Sequence, residues 1–322
     1  MDQTTGYAMN FITDYGQGIY GIDSGFGRPQ SNAVHLIVEG GHAAIVDTAN
    51  NRSLPRVLDA LRALGVAPDR VDYVILTHIH LDHAGGASLL LDYLPEARLA
   101  MLASGARHMS DPSRLIKSTV AVYGESAARE MYGEILPIAT DRIAKVQNGQ
   151  TLPLAGRELC FLDTPGHARH HMSILDGRSG HIFAGDTFGL SYRELDSNGR
   201  CFAFPATTPT QFDPTALHRS IDLLAGYRPE AIYVTHFSQV RDIPRLADDL
   251  HRLIDAHAAL ALREGAGPER HERLKTGVAE ILCGEASNQG WRLHDEELLK
   301  LMAMDIELNA QGLGCWLETL EG

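Results

Sequence analysis

Four residues that ligate metals crowd one short stretch, Thr77-His78-Ile79-His80-Leu81-Asp82-His83-Ala84-Gly85-Gly86. In an extended segment side chains alternate, so His78 and His80 point the same way, while Asp82 and His83 fall where the chain turns into a helix. Imidazole nitrogen and carboxylate oxygen suit a divalent first-row cation such as zinc, iron or manganese. One ion cannot easily use all four groups from so short a loop, whereas two ions sharing the loop can.

Such a cluster must be carried by strands. VDYVILT (71–77) is a short β-rich run that leads into the histidines. Upstream, AVHLIVEG (33–40) and HAAIVDT (42–48) read as strands joined at Gly40-Gly41. ELCFLDT (158–164), HMSILD (171–176), HIFAGD (181–186) and AIYVTH (231–236) follow later. Amphipathic helices are expected from Leu54, Val57, Leu58 and Leu61 and from Leu89, Leu90, Tyr93 and Leu94. Open α/β sheets gather their sites at the carboxyl edge of the strands. Further ligands are expected there: His167 follows one strand in Asp163-Thr164-Pro165-Gly166-His167, Asp186 closes HIFAGD and His236 closes AIYVTH.

The combination THIHLDHAGG, DTPGHARHH, FAGDT and VTHF resembles the metallo-β-lactamase superfamily, and within it the branch with the glyoxalase II type of ligand set. The resemblance spans about residues 33–237, with the motifs in the family's order. It implies an α/β protein with an αββα sandwich, two sheets face to face with helices outside. It also implies that His78, His80 and His167 hold one metal, that Asp82, His83 and His236 hold a second, and that Asp186 bridges them. Asp47, in Ile45-Val46-Asp47-Thr48, resembles the family's acidic strand end that supports the metal loop, and His171 resembles the histidine four residues after the TPGH ligand. His170 has no obvious counterpart and is expected at the pocket rim, with His108 facing the site from the cap as a minor expectation. The remaining histidines, His257 among them, read as surface or ordinary polar packing.

Within the superfamily, His83 and the lack of any ligand-motif cysteine argue against antibiotic hydrolysis. His80 stands where flavodiiron reductases carry glutamate. The glutathione-binding set of glyoxalase II is not identifiable in the helices after Arg241. The expected activity is therefore that of a metal-dependent hydrolase, in which a metal-bridging hydroxide attacks an ester-like bond (thioester, lactone or carboxylic ester), with Asp82 orienting it or passing a proton. The alternatives are a phosphodiesterase, a mononuclear iron persulfide dioxygenase, and a ligand-binding or regulatory protein with slow turnover. The expected cofactors are two divalent ions, zinc first. Aromatic candidates for the substrate pocket are Phe188, Tyr192, Phe202, Phe204, Tyr123 and Tyr132.

The chain has 322 residues, 44% of them hydrophobic and 21% charged, enough for one large domain with an appendage. Residues 1–240 are expected to form the catalytic domain, with a mainly helical cap at about 106–141. Residues 241–322 are expected to form a C-terminal helical extension serving as a lid or an oligomer contact, a homodimer included. A net charge of −13 and the absence of a Lys/Arg cluster exclude a phosphate-backbone partner, and the expected partner is a small-molecule substrate. No apolar run suggests a signal peptide or membrane anchor, which points to the cytoplasm. Cys160, Cys201, Cys283 and Cys315 have no CxxC spacing and read as reduced, buried thiols.

Overall fold

A computed structural model describes residues 10–321. The order of elements begins with strands β1 (Ile12–Asp14), β2 (Ile19–Asp23), β3 (Ala33–Glu39) and β4 (His42–Val46), then helix α1 (Leu54–Ala63) and strand β5 (Val71–Ile75). Two short helices, α2 (Leu81–Ala84) and α3 (Ala87–Tyr93), lead to β6 (Arg98–Leu102). A helical insertion, α4 (Ala103–Ser110), α5 (Ser113–Tyr123) and α6 (Glu125–Tyr132), precedes β7 (Ile143–Val146). These strands form one sheet in the order β1 to β7, antiparallel as far as β4 and parallel from there.

The second sheet is built from β8 (Thr151–Leu154), β9 (Arg157–Asp163), β10 (Met172–Asp176), β11 (Ile182–Gly185), β12 (Ile232–Val234) and β13 (Ser238–Val240), in the reverse spatial order β13 to β8. Helix α7 (Pro214–Gly226) joins β11 to β12, and α8 (Ile243–Arg263), α9 (Arg270–Gln289), α10 (Asp295–Leu301) and α11 (Ala303–Glu321) complete the chain. Asp213 starts α7 by accepting the backbone N–H of Ala216 at 3.0 Å.

Side-chain alternation explains why the sheets form the middle layers. On β3 and β4, Val34, Leu36, Ala43 and Ile45 turn outward onto α1 and α3, joining Val57, Leu61 and Leu90 in one apolar cluster. Their neighbours Ile37, Ala44 and Val46 turn inward and meet Phe161, Ile174 and Phe183 of the opposite sheet. The outer face of the second sheet, with Ile182, Ile232 and Val234, is covered by Leu217 and Ile221 of α7, Leu250 and Ile254 of α8, and Leu313 of α11. The result is the αββα sandwich expected from the motifs. The helices after residue 241 share a continuous apolar core with the second sheet.

Several details differ from the sequence reading. The helical insertion, expected at about 106–141, starts at Ala103 and its last helix ends at Tyr132, and within the C-terminal helical extension a break at Met302 separates α10 from α11. The four cysteines are free, and each is half-buried rather than enclosed. No helix among the described residues is long and apolar enough to cross a membrane.

Candidate metal centre

The chemistry-bearing side chains sit where strands end: Asp47 after β4, His78 and His80 after β5, His167 after β9, Asp186 after β11 and His236 after β12. Asp82 and His83 lie on α2. The Gly85-Gly86 pair lets α2 lie against the loop after β4. A Cβ on Gly86 would stand 2.8 Å from the Thr48 carbonyl oxygen, and one on Gly85 would stand 3.1 Å from that of Ala49. The same contact lets the Thr48 backbone N–H and hydroxyl both donate to the His83 carbonyl, at 2.7 Å each.

The expected ligands converge in two groups that share Asp186. His80 Nδ1 lies 2.9 Å from His78 Nε2 and 3.0 Å from His167 Nε2. On the other side, Asp82 Oδ2 lies 3.2 Å from His236 Nε2 and 3.5 Å from His83 Nε2. Between them, Asp186 Oδ2 stands 3.6 Å from His167 Nε2 and 3.4 Å from His83 Nε2, while Oδ1 is 3.7 Å from His236 Nε2. The donor triads His78/His80/His167, His78/His83/Asp186 and Asp82/His83/His236 each fall within the compass of a single ion.

The outer nitrogens of four of these rings, those of His78, His83, His167 and His236, are held by the protein, which fixes which nitrogen faces the centre. His167 Nδ1 donates to the Ala206 carbonyl at 2.8 Å, and His236 Nδ1 to that of Ser31 at 2.9 Å. His83 Nδ1 donates to Asp47 Oδ2 at 2.8 Å. His78 Nδ1 lies 3.1 Å from the Thr77 hydroxyl, which itself donates to Asp47. Because those protons point outward, the nitrogen lone pairs point at one another across the centre. His83 Nε2 and Asp186 Oδ1 are buried without any hydrogen-bond partner. An all-nitrogen-and-oxygen donor set with facing lone pairs and orphaned buried atoms fits divalent cations.

Protonation follows the same geometry. Burial, reinforced by neighbouring imidazoles, holds His78 and His80 well below the ordinary histidine value, and burial lowers His167 as well. In the other group, burial would lower His236, yet the Asp186 and Asp82 carboxylates overcome it and push the ring up to about 9. Burial likewise opposes the ionisation of Asp82, but His83 and His236 pull its carboxyl well below the usual range.

His171 sits behind the centre. Its Nε2 accepts the backbone N–H of Asp186 at 3.2 Å, and its Nδ1 lies 3.0 Å from the hydroxyls of Thr164 and Thr187. It therefore sets the position of Asp186. His170, expected at the rim, lines the cavity in front of the centre, as does His108 from the insertion.

That cavity has a volume of about 810 Å³ and is floored by His80, Asp82, Asp186 and His236. Tyr123 and Tyr132 of the insertion and Tyr192 enter its wall, as the sequence reading expects. Phe188, Phe202 and Phe204 do not. Phe188 and Phe204 are enclosed in the core beneath the C-terminal helices, and Phe202 packs there against Trp291, 4.4 Å between ring centroids. Burial behind the second sheet took these rings out of the pocket. Lys300 of α10 and Asp305 and Leu308 of α11, residues that the sequence reading did not name although it expected a lid or an oligomer contact from these helices, also line the cavity.

Two face-to-face sheets with clustered histidines and aspartates at their strand ends define an α/β metal-site protein. The family model described as the metallo-beta-lactamase superfamily matches residues 27–236, and the chain belongs to that superfamily. A metallo-beta-lactamase fold-containing protein, ST1585 of Sulfurisphaera tokodaii, is 28% identical over 172 residues, 52% of this chain and 61% of that protein, so the match spans less than two thirds of that relative. A hydroxyacylglutathione hydrolase of Xanthomonas campestris pv. campestris is 30% identical over 267 residues, 82% of each chain. The fold agrees with the solved structure of ST1585 from Sulfolobus tokodaii (TM-score 0.61, 21% identity, 88% of this chain and 99% of that one). It agrees equally with TTHA1429 from Thermus thermophilus (TM-score 0.60, 22% identity, 89% and 94%).

Proposed function

We propose that this chain hydrolyses an ester-like bond of a small molecule, a thioester first among them, with two divalent cations, zinc first, held by His78, His80 and His167 on one side, by Asp82, His83 and His236 on the other, and by Asp186 between them. The observation that carries the reading is the pair of donor groups sharing one carboxylate at the floor of a cavity. The naming of several 28–31% identical relatives as hydroxyacylglutathione hydrolases supports the thioester class.

Cations in such a site activate water and polarise a carbonyl oxygen. The chain's own residues supply the rest. The Asp82 side chain is 23% exposed and opens into the cavity, where it can accept a proton from the attacking water and return it to the leaving group. Asp47 and His171 keep His83 and Asp186 in register without touching substrate. Burial raises the Tyr123 and Tyr132 phenols, so both stay protonated as donors in the wall. Their rings, with Phe26 stacked on Tyr132 at 5.8 Å, limit access of bulk water from that side.

The test is turnover by metal-replete protein on a panel of thioesters, lactones, carboxylic esters and bis-nitrophenyl phosphate, alongside metal analysis. Thioester hydrolysis with two metals per chain is the expected result. A single iron with oxygen consumption, or no turnover on any ester, overturns the reading.

A further inference from the structure

A second pair of imidazoles meets away from the cavity, on the seam between α7 and α8. The same five-residue pattern, His-Arg-x-Ile-Asp, occurs once on each helix: His218-Arg219-Ser220-Ile221-Asp222 and His251-Arg252-Leu253-Ile254-Asp255. Ile221 and Ile254 are buried in one apolar core, which fixes the rotation of each helix. The histidine three residues before the isoleucine and the aspartate one residue after it then share a face, four residues apart. All four side chains meet at the seam, although the sequence reading took both histidines as surface or ordinary polar groups.

His218 Nδ1 lies 2.5 Å from His251 Nδ1, with 4.8 Å between ring centroids and 16° between ring planes. That centroid spacing is what two ring radii and the Nδ1···Nδ1 distance give in a straight line, so the rings stand end to end and aim these nitrogens at each other. Each outer nitrogen reaches the carboxylate of the opposite helix: His218 Nε2 lies 3.1 Å from Asp255 Oδ1, and His251 Nε2 lies 3.0 Å from Asp222 Oδ1. The row of carboxylate, imidazole, imidazole and carboxylate has three junctions, and each needs one hydrogen. Two neutral imidazoles bring two, and ionised carboxylates bring none. With both Nε2–H groups donated to the aspartates, two nitrogen lone pairs confront each other at the middle junction. Neither aspartate pairs with Lys or Arg among the described residues, so the row is one cation short.

We propose that His218 and His251 form a separate metal site, a clamp that takes one late first-row divalent cation, zinc, nickel or copper, between their Nδ1 atoms. Neutral imidazole favours those ions. An outer N–H given to a carboxylate is the arrangement that orients histidine ligands, and His83 shows it with Asp47 in the main centre. Zinc–nitrogen bonds of about 2.0–2.1 Å in a tetrahedral site require the two Nδ1 atoms to part by about 1 Å or less. Side chains that are 26% exposed can make that movement, and the same exposure leaves the ion's other positions to water. Helix α7 also docks on the loop that carries His167. The Ser220 hydroxyl donates to the Pro165 carbonyl at 2.6 Å, and a Cβ on Gly166 would stand 2.3 Å from the Leu217 backbone. An ion that ties α7 to α8 therefore braces that loop from outside, whatever reaction the main centre performs.

Equilibrium dialysis of the whole chain against free zinc counts the ions. The wild type is expected to hold one ion per chain more than His218→Gln and one more than His251→Gln, with the same circular-dichroism spectrum in all three. The double substitution Asp222→Asn with Asp255→Asn keeps both rings, and it is expected to keep the extra ion but bind it about 10- to 100-fold more weakly. An equal count in the wild type and both histidine variants overturns the proposal and leaves a shared proton as the occupant of the pair. An extra ion that survives either histidine substitution overturns it too, because that ion sits elsewhere. If the histidine variants do not fold, the wild type decides alone. One equivalent of Cu(II), added after zinc saturation and with bound zinc unchanged, is expected to give an electron paramagnetic resonance spectrum with two imidazole nitrogens. A spectrum without them overturns the clamp.

Discussion

Asp47 accepts a hydrogen bond from His83 Nδ1 at 2.8 Å, with both side chains closed off from solvent. The same carboxylate accepts from the Thr77 backbone N–H (2.9 Å), the Thr77 hydroxyl and the Thr235 hydroxyl (2.9 Å), so it ties β5 of one sheet to the end of β12 in the other. An amide at this position keeps one acceptor oxygen but turns a donor toward His83 or the threonines. It also tolerates the left-handed backbone that Asp47 adopts, φ 58°. Asp47→Asn is therefore expected to fold and to lose about 10- to 100-fold in metal affinity. Metal competition with a chromogenic chelator reads this, and an unchanged affinity would show that the pair plays no part in holding His83.

His80 and Asp186 test the two-group arrangement from within. Each carries donor atoms that no other residue can replace: His80 Nδ1 sits within 3.0 Å of two imidazole nitrogens, and Asp186 approaches both groups. His80→Ala and Asp186→Ala are each expected to lower the bound metal below two per chain and to reduce ester hydrolysis at least 100-fold, with the circular-dichroism spectrum retained. Elemental analysis of the purified variants supplies the check. Full metal content in both would sink the assignment.

The clustered histidines and aspartates of the candidate site were legible because strand ends and imidazole clusters are written locally. His78 to His83 follow an apolar run directly, and His167, Asp186 and His236 each close a β-rich segment. Asp305 was not legible. On a helix with acidic and apolar residues intermixed, an aspartate in the first turn reads as a solvated, dipole-favoured acid, and only the break at Met302 aims it at the cavity. Phe188, Phe202 and Phe204 failed for the opposite reason: an aromatic side chain looks the same in sequence whether it meets a substrate or the inside of a helix layer. Strands β1 and β13 are three residues each, too short for a period-two pattern to register.

Gly312 shows how closely α11 approaches the loop after Phe204. A Cβ there would stand 1.6 Å from the Thr207 carbonyl oxygen, a backbone atom that cannot swing away. Helix propensity alone predicts that Gly312→Ala stabilises by about 1 kcal/mol. Overpacking predicts the opposite sign, a loss of about 1–3 kcal/mol or more, because α11 must lift off and carry Asp305 and Leu308 out of the cavity wall. A lower melting temperature together with an altered KM is expected. A higher melting temperature would mean that α11 does not dock in this way.

His257 sets a pH limit on stability from inside the C-terminal helices. It is enclosed on α8, donates Nδ1–H to the Leu253 carbonyl at 2.7 Å, faces Phe204 at 5.2 Å between rings and leaves Nε2 without a partner. Burial lowers this imidazole to about 4, whereas in the unfolded chain it titrates near its ordinary value of about 6.5. The unfolded state therefore binds the proton more readily, so the stability tied to the neutral ring is fully present above pH 6.5 and is lost as the pH falls toward 4. The difference corresponds to at most about 3 kcal/mol. His257→Leu removes this titration, so its unfolding free energy is expected to decline less steeply than that of the wild type between pH 6.5 and 4.5, whatever its offset at pH 7.5. Urea unfolding across that range measures both slopes, and parallel curves would show that His257 is not the neutral, enclosed ring described here.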